Sequence, residues 1–163
     1  DANATDAGDL TLARNQLAGC SSPTYGYGVG GSNPDVDIID KYPFASDGNA
    51  TDVGNLLISK YAGSGTSSVT HGYHTGAYPQ NNVIEKFSFS SDGNSTDVGD
   101  TIDIKTSTSG VSSEGYGYWA GGGPNPVTGA VTTIEKYSFT TDGNATDVGD
   151  LTVLRRNSAG TQY

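Results

Sequence analysis

Methionine is absent from this chain of 163 residues, cysteine and tryptophan occur once each, and lysine plus arginine number only eight. The single Cys20 excludes an internal disulfide and a cysteine-built zinc cluster, and leaves the redox compartment undetermined. No apolar run approaches the roughly 20 residues that a bilayer-spanning helix requires; the longest aliphatic stretch is Leu56, Leu57 and Ile58. Against the eight bases stand 18 acids, a net charge of -10. Nucleic acid demands clustered cations to displace counterions, so that class of partner is excluded, and insertion into or attraction to anionic membranes is disfavoured. Only 33% of residues are hydrophobic, and the 24 glycines with many Ser, Thr, Asn and Asp favour turns over helix interiors. The expectation is an all-β chain. It opens on Asp1 with no charged-then-apolar leader, which fits a processed product or a piece of something longer.

Self-similarity dominates the rest. Asp47-Gly-Asn-Ala-Thr-Asp-Val-Gly-Asn55 recurs with small changes from Asp1, Asp92 and Asp142, at spacings of 46, 45 and 50 residues. Each block is followed by a basic position (Arg14, Lys60, Lys105, Arg155) and a small residue with Gly (Ala18-Gly19, Ser64-Gly65, Ser109-Gly110, Ala159-Gly160). Then come Tyr25-Gly-Tyr27, His71-Gly-Tyr73 and Tyr116-Gly-Tyr118, closing in Gly30-Gly31, Gly76-Ala77 and Gly121-Gly122. The unit ends with Ile39-Asp-Lys-Tyr-Pro-Phe44, Ile84-Glu-Lys-Phe-Ser-Phe89 or Ile134-Glu-Lys-Tyr-Ser-Phe139. Units run approximately 1–46, 47–91, 92–141 and 142–163, the last partial. Within a unit the apolar period is two, which predicts four short strands, near residues 10–13, 19–22, 25–30 and 38–44 in the first unit. Recurrent aromatics at fixed strand positions argue against disorder.

An aromatic strand ending in Gly-Gly, a variable loop, then hydrophobic-acid-Lys-Tyr and a turn together resemble the kelch repeat of β-propellers over essentially the whole chain. Gly30-Gly31 and Gly121-Gly122 match its double glycine; Tyr42, Phe87 and Tyr137 match its third-strand aromatic. The middle unit departs with Gly76-Ala77, and the family's tryptophan after the third strand is replaced by the Asp block, which is similar to repeats in predicted propeller proteins of marine bacteriophages and environmental sequences. The resemblance implies kelch-like blades, three complete and one partial. Propellers close with roughly four to eight blades, so the ring is incomplete unless copies associate or the chain continues. An open end would leave strand edges that invite self-association.

Each block gathers hard oxygens of the kind Ca²⁺ takes: Asp47, Asn49, Thr51 and Asp52; Asp92, Asn94, Thr96 and Asp97; Asp142, Asn144, Thr146 and Asp147. The EF-hand spacing is not met, and a turn in which Asp and Asn bond their own backbone explains the same residues. Asn3, Asn49, Asn94 and Asn144 also head glycosylation patterns, which the repeat explains without sugar. The Asp-box of sialidases does not match, since Asp47 and Gly48 adjoin and no aromatic follows.

Unrepeated residues point to specific function: Cys20, His71, His74, Glu114, Trp119 and the loops 32–37, 78–82 and 123–132. These loops should emerge opposite the Asp blocks, with Tyr78, Trp119 and Asn125 as ligand-contact candidates suited to stacking on sugars; packing of the aromatics between blades is the plainer alternative. Cys20, Tyr25, His71 and His74 supply the residue types of copper oxidases built on kelch-like propellers, but an odd spacing on a strand aims the two imidazoles at opposite faces. The resulting expectation is not an enzyme but a structural or binding module at a virion or cell surface, contacting protein or glycan. The alternative is a segment of an extracellular calcium-dependent propeller enzyme whose active site lies elsewhere.

Overall fold

The computed structural model describes residues 3–79, 81–123 and 129–160. Among the described residues twelve strands run in order: β1 (Ala18–Ser21), β2 (Tyr25–Val29), β3 (Ile38–Pro43), β4 (Thr51–Asn55), β5 (Ser64–Ser67), β6 (His71–Thr75), β7 (Val83–Ser88), β8 (Thr96–Asp100), β9 (Ser109–Ser112), β10 (Tyr116–Ala120), β11 (Val131–Ser138) and β12 (Thr146–Arg155). They form three four-stranded antiparallel sheets, each a meander of consecutive strands. Register repeats from sheet to sheet: Gly26 opposes Tyr42, Gly72 opposes Phe87, and Gly117 opposes Tyr137. In each case the aromatic ring lies over its opposing glycine, where a Cβ would collide with it.

One sequence expectation is corrected. The fourth strand does not follow the Asp block; the second half of the block is the strand, Thr51–Asn55 in the first sheet and Thr96–Asp100 in the second. Residues 10–13 are accordingly not a strand but part of a crossover into β1. The first block, residues 3–9, carries no strand either, because a strand exists only by pairing and this block has no third strand beside it. Within β12, by contrast, residues 151–154 do belong to the strand.

The core lies between sheets. Tyr27, Val29, Ile39 and Leu56 of the first sheet, with Cys20, pack on Phe87 and Phe89 of the second; Tyr73, Ile84 and Val98 of the second pack on Tyr137 and Phe139 of the third. The Tyr27 ring stacks on Phe89 at 4.8 Å, and Tyr73 repeats this on Phe139 at 4.7 Å. Burying each such ring contributes about 1.5–3 kcal/mol, and a single sheet with one covered face would keep only half of that.

Three ladders bind the sheets. At the first strands, the amides of Ser21 and Ser67 each donate to a serine hydroxyl of the following sheet, Ser67 and Ser112, at 2.9 Å. At the loops before those strands, Ala62 donates to Gln16 and Ser107 to Ala62, and the series continues with Asn157 to Ser107. At the Asp blocks, the carboxamide oxygens of Asn49, Asn94 and Asn144 accept the backbone N–H of Asp9, Asn55 and Asp100 in the block before, each at 3.0 Å. The blocks approach so closely that a Cβ on Gly54 would collide with the Gly93 carbonyl, and one on Gly99 with the Gly143 carbonyl.

Gly99 and Gly149 occupy the same place in successive blocks with similar φ, 150° and 142°, but nothing lies within 4 Å of a Cβ at Gly149. Gly99→Ala should therefore destabilise the chain by about 1–3 kcal/mol more than Gly149→Ala in urea unfolding. Equal losses would assign the glycines to backbone strain alone.

Candidate functional site

Two ends of the sheets differ in chemistry. At one end the second-to-third-strand loops meet the crossovers: Asn15 bridges to Ser32, Tyr61 to Tyr78 and Thr106 to Gly123. At the other lie the Asp blocks.

The basic side chains of Arg14, Lys60 and Lys105 are buried, whereas Arg155 is exposed. Arg14 Nη1 reaches Asp40 Oδ2 at 2.8 Å, Lys60 pairs with Glu85, and Lys105 Nζ reaches Glu135 Oε1 at 2.8 Å. The acid is the third-strand residue after Ile39 or its equivalent, and its relative exposure is 0% in all three sheets. Each acid also accepts a backbone N–H three residues before its cation: Thr11 at 3.2 Å, Leu57 at 2.9 Å and Ile102 at 2.7 Å. Asp40 takes the Thr11 hydroxyl as well, at 2.6 Å, and Glu85 that of Ser95. The cation works on both sides, since the Lys60 carbonyl accepts from Gly31 of the first sheet at 2.9 Å while its ammonium serves the second. A Cβ at Gly30, whose φ is 65°, would stand 2.5 Å from that carbonyl, which is the need for glycine at the double-glycine site. Ala77, at φ 142°, accepts the strained conformation and donates to the Lys105 carbonyl at 3.3 Å.

Sequence reasoning missed these acids as organising residues. The signal was present: acid and base co-vary in length, Arg14 with the short Asp40 and the lysines with Glu85 and Glu135.

His74 and Trp119 occupy one slot of the repeat, held in the first sheet by Gly28. There they cover the slimmer lysine: Lys105 Nζ sits 4.7 Å from the Trp119 ring centroid, whereas Gly28 faces the wider Arg14 guanidinium. Trp119 is fully buried, so its ring packs in the interior. His74 is 1% exposed, and burial together with the Lys60 charge holds its pKa well below the usual value. His71, three residues earlier, is half-buried and bonded to Thr70. Cys20 is buried and donates to the Tyr73 carbonyl, its thiol pushed up to about 12 by burial; a thiol this far from ionisation is a poor nucleophile or metal ligand at neutral pH. Tyr78 is exposed at the loop end with its ring centroid 5.3 Å from that of Tyr61. Asn125 lies outside the described residues.

In the Asp blocks the proposed oxygens are directed apart. Asn49, Asn94 and Asn144 bind the neighbouring block, as above. Asp52, Asp97 and Asp147 each accept from the glycine two residues on, at 2.9–3.1 Å. Asp92 and Asp142 pair with Lys41 and Lys86 of the preceding sheet at 2.8 and 2.6 Å. Thr96 and Thr146 face the carbonyls of Lys86 and Lys136, and Asp47 and Thr51 are exposed. Among the described residues no three His, Cys, Asp or Glu side chains converge as a metal site, so this donor set does not fit a calcium cage. The backbone-bonding turn foreseen from sequence holds for the second Asp of each block, whereas the Asn crosses to another repeat.

Compared with known proteins, the chain matches no family model and no curated protein.

Glu85→Ala strands the buried Lys60 and should cost about 3–5 kcal/mol in denaturant unfolding, against no more than about 1 kcal/mol for Asp92→Ala at its exposed pair. His74 titrates near 6.5 when unfolded and lower when folded, so the unfolded state binds the extra proton. Its contribution is present above pH 6.5 and is lost as pH falls, at about 1.4 kcal/mol per pH unit. The half-buried His71, also lowered by burial, adds a slope of the same sign. Unfolding between pH 7 and 5 should flatten in His74→Phe and less in His71→Phe.

Proposed function

We propose that the chain is a run of kelch-like propeller blades acting as a non-catalytic structural and binding module at a virion or cell surface. The observation that carries this reading is the division of labour along the repeat. Repeated polar residues, the block asparagines and the buried Lys60–Glu85 and Lys105–Glu135 pairs, are engaged in joining sheet to sheet. Differences between repeats collect in the second-to-third-strand loops, beside the crossovers. A rigid scaffold that varies only its loops is the arrangement of a recognition surface. The glycine in each first strand, the docking of the crossovers on Gly30-Gly31, Gly76-Ala77 and Gly121-Gly122, and the strict sheet-to-sheet order support the blade reading.

Of the two partner classes, glycan is favoured by the exposed Tyr78 with the half-buried Tyr61 beside it, whose apolar faces suit a sugar ring. The labelled chain should bind a panel of immobilised surface polysaccharides, and Tyr78→Ala should weaken that binding by about tenfold or more while Asp92→Ala leaves it unchanged. Binding that ignores Tyr78 but disappears with Asp92 would move the contact to the block end, and release of sugar from the panel would make the protein an enzyme.

A further inference from the structure

The two sheet-to-sheet interfaces inside the chain define what the outer faces lack. On the face of the third sheet turned away from the second, Tyr118 is half-buried and Val148 is 46% exposed, whereas their equivalents are enclosed: Tyr27 and Tyr73 are at 2% and 1%, and Val53 and Val98 pack into the two cores. On the face of the first sheet turned away from the second, Tyr42 and Phe44 are exposed at 36% and 56%, whereas Phe87 and Tyr137 in the former's place are at 3%. Beside Tyr42 an apolar groove of about 480 Å³ runs between the first block and β2, lined by Leu10, Leu17, Tyr27 and Pro43. One face carries the tyrosine and the other the aromatic pair that receives it.

Charge repeats the match. Lys41 and Lys86 pair with Asp92 and Asp142 of the next sheet; the same ladder leaves Lys136 on one outer face, over the Tyr116 ring, and Asp47 exposed on the other. Arg155 is half engaged: its carbonyl accepts from Gly122 at 2.9 Å, as Lys60 does from Gly31, but the residue is exposed and among the described residues makes no ion pair. Of the three sheets only the first is shaped for an arginine, with the short Asp40 and, at Gly28, no side chain in the slot that His74 and Trp119 fill in the others.

The segment that now fills that place is a near copy of the segment bearing Arg155. Residues 3–16 and 144–157 agree at three positions that touch the first sheet, Asp9 with Asp150, Thr11 with Thr152 and Arg14 with Arg155; they differ at Asn15 and Gln16, which accept from the Ser32 hydroxyl and stand where the later segment has Arg156 and Asn157. We propose that copies of this chain associate head to tail by segment exchange, residues 144–157 of one copy replacing residues 3–16 of the next. Arg155 and Thr152 then bind Asp40 of the receiving copy, the Asp150 amide donates to Asn49, Lys136 meets Asp47, and Tyr118 enters between Tyr42 and Phe44. The displaced segment, which pairs with no third strand, gives up contacts that its replacement remakes except those of Asn15 and Gln16 to Ser32, so the exchange gains nearly the whole of the ring and strand contact at the outer faces. The interface is heterologous, the same pair of unlike surfaces at every step. The inference holds whichever partner the loops contact.

The test is the mass of the full chain in solution by multi-angle light scattering, from micromolar to millimolar. The wild type should form a concentration-dependent series. Tyr42→Asp lacks a competent receiving face and Tyr118→Asp a competent entering one, so each alone should need about a hundredfold higher concentration to associate. Their equimolar mixture should give a heterodimer and stop there, which also shows that both variants fold. Arg155→Ala, at an exposed position, should weaken the series without lowering thermal stability of the monomer, and Lys136→Glu, at a half-buried one, should weaken it too. A wild type that stays monomeric throughout overturns the proposal. So does association abolished by only one of the two tyrosine variants, the mark of a symmetric contact, or a mixture that remains monomeric while circular dichroism shows both variants folded.

Discussion

A carboxylate buried on each third strand is the constraint around which the sheets are arranged. Asp40, Glu85 and Glu135 sit at zero exposure, where an unpaired charge would cost several kcal/mol. Each can exist there only because the crossover entering its sheet brings a cation and a free N–H together. The crossover therefore cannot wander. Its path is set by the acid on one side and by a left-handed glycine on the other, and the strand that follows is delivered alongside the first strand of the neighbouring sheet. Inter-sheet aromatic packing, the serine ladder and the asparagine ladder are all consistent with that single placement.

Much of this was legible in the amino-acid sequence. The repeat, the all-β class, four strands per unit and the double-glycine close approach follow from period-two patterning and glycine position. The fourth strand was displaced because Thr51, Asp52, Val53 and Gly54 read locally as turn residues, and only pairing with Lys41 and Asp40 makes them a strand. The oxygen-rich block was ambiguous for a related reason: its asparagines answer to amides 39 to 44 residues away, a partner no local window contains. Trp119 and His74 looked like unrepeated functional residues because their shared slot holds glycine in the first unit. Their common role, covering a buried lysine, is visible only once the lysine is known to be inside.

The sheets stabilise one another through nearest neighbours, as in other repeat architectures. Lys60 belongs by sequence to the passage between two sheets and by bonding to both, so neither sheet can lose its packing without disturbing the other. The first block shows the converse. Held by Asn49 and Asp40 but by no third strand, it has the contacts of one side only, and stability there should be the lowest of the repeated blocks.

Near-identical repeats carry a hazard, since during folding a crossover can dock on the wrong copy of its own receptor. The unequal pairs act against that. Arginine reaches further than lysine and aspartate less far than glutamate, so the two correct combinations span similar gaps and the mixed ones do not. An Arg14 offered to Glu85 would be crowded by His74, and a Lys60 offered to Asp40 would fall short beside Gly28, where no ring covers it. The length of one side chain thus serves as an address, telling repeats apart where the rest of the chain makes them alike.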